Sequence, residues 1–185
     1  MTYDVDWLTS AIEKKKRVKL LFFWGHQKSK SGDLTAACFS QWWGSPFFVD
    51  EVRYATTEHW MMAQKALLFN NLDIYQQVLA AKSPAEAKAL GRQVQQFDND
   101  VWNRHRMAIV VRGNLAKFQQ HKDLQDFLLS TQERVLVEAS PVDRIWGIGL
   151  AADDERATNP RQWQGLNLLG FALMEVRDLL RANIA

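Results

Sequence analysis

Two carboxylates in this sequence stand where their type and spacing suit chemistry. Glu58 falls in the first turn of a predicted helix that Thr56 or Thr57 caps and that Met61, Met62, Lys65, Ala66 and Phe69 continue. A carboxylate there is stabilised by the helix dipole and the free N–H groups, so a structural role and a catalytic role both fit. Lys65 lies seven positions on, on the same face and ~10 Å further along the axis. That face carries a carboxylate, Met62 and an amine: the parts of an acid–base or amine-nucleophile site, and equally of an ordinary Glu-to-Lys helix surface. Asp143 opens the second cluster, Asp143-Arg144-Ile145-Trp146-Gly147-Ile148-Gly149. A loop aspartate beside Trp146, with Gly147 and Gly149 behind it, can hold a carboxylate against a flat ring while the backbone approaches a ligand. It can equally start an Asx turn. Asn167 and Gly170, beyond Gly165, read as a polar contact at a helix N-terminus or as cap and packing residues. Among the eight tryptophans, at 7, 24, 42, 43, 60, 102, 146 and 163, most read as core indoles whose N–H finds a partner. The others are free to stack on a ligand ring.

Other chemistries fail on pattern. The histidines at 26, 59, 105 and 121 lack metal-ligand spacing, and there is no phosphate-binding loop, nucleophile elbow or His-Glu-x-x-His. Gly147 to Ala152 formally matches a relaxed dinucleotide fingerprint but has neither the strand before it nor the helix after it. No cofactor and no metal are expected. The lone Cys38 excludes an intramolecular disulfide and a thiolate zinc site, which fits a reducing compartment. The run Lys14 to Arg17 precedes an apolar stretch with no small-residue cleavage site, and nowhere do ~18 apolar residues run together. A cytoplasmic protein with no membrane partner is the expectation. A net charge of +2 is too small for the field of a duplex-binding protein.

The elements that must hold these residues follow from periodicity. A short charged helix is predicted over 7–16, a buried strand over 18–24, and a basic loop from Gly25 to Leu34. Ala36–Phe39, Phe47–Val49 and Val52–Tyr54 read as a small antiparallel sheet with tight turns. Helices follow from Thr56 to Phe69, over 72–81 and, from the capping box Ser83-Pro84-Ala85-Glu86, to about Gln95. Asp98-Asn99-Asp100 caps a long helix over 101–120, with Trp102 and Arg106 on one face, and a short helix covers 124–129. One returning strand is read over 134–139. A long loop from Ser140 to Gly165 leads to a closing amphipathic helix over 166–182. With 185 residues, 47% of them hydrophobic, the chain suits one domain over 1–185.

These segments together resemble the YbiA/NADAR family of N-glycosidases. The resemblance is carried by Phe39-Ser40-Gln41-Trp42, by Pro46-Phe47 through Val49-Asp50, and by Tyr54-Ala55-Thr56-Thr57-Glu58-His59-Trp60-Met61-Met62-Ala63-Gln64-Lys65-Ala66. It continues in Trp102, Arg106-Met107, Lys117-Phe118, Leu136-Val137-Glu138-Ala139-Ser140, the Asp143 to Gly149 segment and Gly165 to Gly170, in the family's order from about Val18 to Leu180. It implies a single α+β, mainly helical domain without a cofactor, and hydrolysis of a bond between ribose C1 and nitrogen. Implied substrates are small molecules: phosphoribosyl aminopyrimidines of early riboflavin synthesis, or ADP-ribose on guanine. Nucleic acid enters as a partner only in the second case, with the Lys14 to Arg17 run as its contact. A nucleotide-binding module without catalysis is the rival reading. Glu58, Asp143, Trp102 and Trp146 are the residues the resemblance marks, and Gln41 departs from the Asn usual there. Cleaving a C1–N bond builds positive charge on the sugar, which a carboxylate stabilises, while a second acid protonates the departing nitrogen. Glu58 at a helix start suits the ionised partner. In the alternative route Lys65 displaces the leaving amine through a Schiff base.

Overall fold

The computed structural model describes residues 2–14 and 17–183. Lys15 and Lys16, the middle of the basic run, lie outside the described residues. In chain order the elements are α1 (Val5–Glu13), β1 (Leu20–Phe23), β2 (Phe47–Val49), β3 (Val52–Tyr54), α2 (Thr57–Leu68), α3 (Leu72–Ala80) and α4 (Pro84–Gly91), followed by α5 (Asn99–Gln120), α6 (Lys122–Ser130), β4 (Val135–Glu138) and α7 (Leu168–Ala182). The fold is α+β and mainly helical. Two expectations need correction. Ala36–Phe39 is a single 3₁₀ turn capped by Thr35, not a strand, because the threonine side chain takes the Ala37 N–H and starts a helical turn. The returning strand β4 pairs with β1 in parallel, Leu20 beside Val135 through Phe23 beside Glu138, so the antiparallel hairpin β2–β3 is a separate sheet. The chain forms two compact units, 1–40 with 123–185 and 41–122.

In the first unit, β1 and β4 are short and apolar, as a strand covered by a helix requires. α7 packs on β4, and its Leu169, Phe171, Leu173 and Val176 are all buried. A Cβ on Gly170 would collide with the Leu136 carbonyl, so only glycine lets the first turn of α7 sit this close. Arg177 is buried on the same helix and donates to Thr131 Oγ1 and the Arg134 carbonyl, each at 2.8 Å, and burial holds its pKa below the usual arginine range.

In the second unit α2 is the central element, packed by α3, α4 and α5. Every residue from Thr57 to Ala63 is buried, which few amphipathic helices allow, and the Thr57 hydroxyl and both His59 ring nitrogens are hydrogen-bonded. Trp60 donates its indole N–H to the Ile109 carbonyl at 2.7 Å, and a Cβ on Gly113 would strike its ring. His59 fastens the start of α2 to the end of α3. Its Nε2–H donates to the Ala81 carbonyl at 3.2 Å, and the Thr56 hydroxyl donates to Nδ1 at 2.8 Å. Desolvation holds the His59 pKa below its ordinary value, against smaller opposing effects of the Ala81 bond and Glu86. The hairpin turn places Asp50 and Glu51 at φ 49° and 64°, and Gln120 clasps Phe48 through both amide ends at 2.9 and 2.8 Å.

Gly113→Ala is expected to cost about 1–3 kcal/mol by overpacking against Trp60, read as a lower urea midpoint with unchanged slope. The neutral His59 contributes stability that is complete above its unfolded pKa and is lost as pH falls through the lower folded value. Wild-type stability should therefore decline as the pH is lowered below about 6.5, and His59→Gln should flatten that slope.

Candidate active site

Glu58 is set by its own backbone before its side chain acts. Its N–H donates to the Gln41 carbonyl at 3.0 Å, and the Thr57 hydroxyl donates to the same oxygen at 3.2 Å. Thr56 caps the helix by accepting from the His59 N–H. The glutamate is 3% exposed. The reading of α2 as a solvated Glu-to-Lys surface therefore does not describe this helix, and a carboxylate buried at a helix start is a costly feature to keep without a use.

Lys65 is half-buried and points to the end of α4. Its ammonium donates to the Gly91 carbonyl at 2.8 Å and lies 4.2 Å from the centre of the Phe97 ring and 5.9 Å from that of Trp102. Burial, with Arg92 as a second cause, holds its pKa below the usual lysine range. Trp102 packs beside Ala66, Phe69 and Val94. Arg106 stands one turn further along α5, half-buried, its pKa lowered by desolvation. The structure thus brings Lys65 and Trp102 together as an amine braced by aromatic rings.

In the first unit the Asp143 loop is an Asx turn. Asp143 Oδ1 accepts from the Ile145 and Trp146 N–H groups, each at 2.8 Å, and the Asp143 carbonyl accepts from Gly149 at 3.0 Å. These bonds fix the half-buried Trp146 relative to the aspartate. Gly149 sits at φ +69°, and a Cβ on Gly147 would lie 2.9 Å from the Glu138 carbonyl, so both glycines serve the turn and its close approach to β4. Asn167 is fully buried in the left-handed conformation at φ 52°. Its Oδ1 accepts from the Glu138 N–H and its Nδ2 donates to the Leu136 carbonyl, both at 2.9 Å. Both ends of that amide are used on β4, where the side chain replaces the neighbouring strand that the sheet edge lacks. Val142, Ile145 and Leu166 leave an exposed apolar rim around the turn.

The sequence gives no sign that several polar residues are buried. Asn114 and Lys117, one turn apart on α5, are both fully buried, and the Lys117 ammonium lies 5.1 Å from the Phe118 ring centre. A lysine on a polar helix reads as solvated, and only the place of Lys117 in the Lys-Phe pair of the resemblance marked it out. Gln41, whose carbonyl anchors Glu58, is buried as well.

Comparison with known proteins converges on one family. The family model described as NADAR domain matches residues 22–181, close to the span expected from the motifs. An N-glycosidase of Acanthamoeba polyphaga mimivirus is 38% identical over 165 residues, 86% of this chain and 95% of its own. The chloroplastic riboflavin biosynthesis protein PYRR of Zea mays is 36% identical over 142 residues, 73% of this chain and 21% of that protein. N-glycosidase YbiA of Escherichia coli is 30% identical over 77% of this chain and 80% of its own, and the NMR structure of YbiA superposes with a TM-score of 0.70 at 27% identity, covering 89% of this chain and 86% of that one. A buried glutamate on a capped helix and an Asx-turn loop on a parallel strand pair are thus set in a fold shared with proteins named for hydrolysis of N-glycosyl bonds, and the chain belongs to the NADAR domain family.

Proposed function

We propose that this protein is an N-glycosidase that hydrolyses the bond between ribose C1 and nitrogen in phosphoribosylated aminopyrimidines, intermediates of riboflavin biosynthesis. The observation that carries the reading is Glu58, a carboxylate 3% exposed on a helix start held by the Gln41 carbonyl. Family membership supplies the reaction class, and similarity to a relative named as a riboflavin biosynthesis protein supports the substrate.

As the C1–N bond breaks, the sugar acquires oxocarbenium character, and a carboxylate already desolvated and oriented stabilises that charge without reorganising. Glu58 takes this role and orients water, whose oxygen bonds to C1 while a proton passes to the departing nitrogen. The products are ribose 5-phosphate and the free aminopyrimidine. Asp143 is the second carboxylate of the proposal, its turn keeping Trp146 fixed for a base to stack on, a contact worth ~1–3 kcal/mol. Arg106 offers charge to a phosphate. Lys65 is assigned a bracing role, since its ammonium already serves the Gly91 carbonyl and the Phe97 ring. Gly147, Gly149 and Asn167 shape the loop.

Release of ribose 5-phosphate by wild type and by Glu58→Gln, both verified as folded, tests the proposal. The variant should lose about 10²–10⁴-fold in kcat with substrate still bound. Asp143→Asn, which preserves the Oδ1 turn, should lose activity without a fall in thermal stability. Borohydride added during turnover should trap no adduct; a trapped adduct lost in Lys65→Arg would establish the Schiff-base route instead. Cleavage of ADP-ribosylated guanine alone would move the substrate to that class, and tight binding without cleavage of either would leave a binding module.

A further inference from the structure

Gln41 is buried to 5% exposure, yet its side-chain amide is poorly matched. Among the described residues Nε2 meets only the Met61 thioether, at 3.4 Å, and Oε1 has no hydrogen-bond partner. A thioether is a weak acceptor, and an amide offers two donors and two acceptor lone pairs. Turning the amide over does not help, because the sulfur then faces the oxygen and the nitrogen is left unmatched. Four residues on, the Ser45 hydroxyl is also buried without a partner among the described residues. Native interiors satisfy such groups almost without exception, so an orphaned amide calls for a reason. Its location supplies one. The carbonyl of the same residue holds the Glu58 N–H, and Met61, which the amide touches, is three residues after Glu58 and so beside it on α2.

We infer that the Gln41 side chain is a specificity group that binds the ribose 2-hydroxyl of the substrate. This rests on the proposed role of Glu58 at C1 and deepens it. The occupant must donate to Oε1 and accept from Nε2, and a single hydroxyl does both. In an N-ribosyl substrate with its C1 at Glu58, the hydroxyl nearest the reacting carbon is the one at C2. Removing it leaves the amide unmatched in the complex as well, so the site rejects a 2-deoxyribosyl substrate by a loss of binding that the sugar's greater chemical lability opposes.

The test compares the phosphoribosyl aminopyrimidine with its 2-deoxyribosyl counterpart in wild type, Gln41→Leu and Gln41→Met, so that the ratio of kcat/KM ratios cancels intrinsic lability. Both variants should lower kcat/KM tenfold or more for the ribosyl substrate and less than threefold for the deoxy one. Their melting temperatures should equal or exceed wild type, since an unmatched buried amide is removed at nearly constant shape. Equal losses on both substrates overturn the inference and make Gln41 a packing residue. Binding of ribose 5-phosphate against 2-deoxyribose 5-phosphate, measured by calorimetry, decides the same question without turnover. A wild-type preference for the ribose form that Gln41→Leu abolishes supports the inference even if no cleavage is found, while no preference, or no binding of either, overturns it. Full activity in Glu58→Gln would sink the catalytic reading separately.

Discussion

The constraint on which the second unit turns is that α2 is buried through its first two turns while it carries a carboxylate. Burying a carboxyl group is costly, and the helix start that carries it is tied from several directions. Thr56 caps it, Gln41 receives both the Glu58 N–H and the Thr57 hydroxyl, and His59 locks it to the end of α3. Each tie is a backbone or neutral hydrogen bond, strengthened by the low local dielectric. The backbone at Glu58 is consequently held in place by the fold.

The first unit solves a related problem with different means. A carboxylate in a loop has no helix to orient it, so Asp143 commits one oxygen to two backbone N–H groups and draws Trp146 into fixed relation with it. The loop in turn is anchored by Asn167, whose amide completes the edge of β4 as a backbone would. Glycines stand where the chain crosses itself most closely: a Cβ on Gly165 would collide with the Gly147 carbonyl, and one on Gly170 with Leu136. Asn167, Gly147 and Gly149, residues of ligand-binding type, thus hold the loop.

The same division applies to lysines. Lys65, singled out by its spacing from Glu58, has its ammonium engaged by a helix-ending carbonyl and an aromatic ring, which closes the gap between α2, α4 and the segment before α5. Lys117, which lies on a helix of polar composition, is the one that is fully buried. Spacing along one helix measures which residues share a face; it carries no information on what the next helix brings to that face.

What the sequence determined by itself was local or carried by motif. Helix starts at Thr56, Ser83 and Asp98 were legible because capping is a contact between residues two or three apart, and the structure has all three. The Asx turn at Asp143 was legible for the same reason, and the ordered set of motifs identified the family. Tertiary structure alone decided the rest. The parallel pairing of β1 with β4 joins strands more than a hundred residues apart, and no periodicity encodes a partner. The 3₁₀ turn at Ala36–Phe39 has the composition of a strand but begins at a capping threonine. Burial of His59 and Lys117 and the unmatched amide of Gln41 depend on what packs over them, and those neighbours come from distant parts of each unit. Polar residues look alike in a sequence whether water or protein surrounds them, and only the fold separates the two.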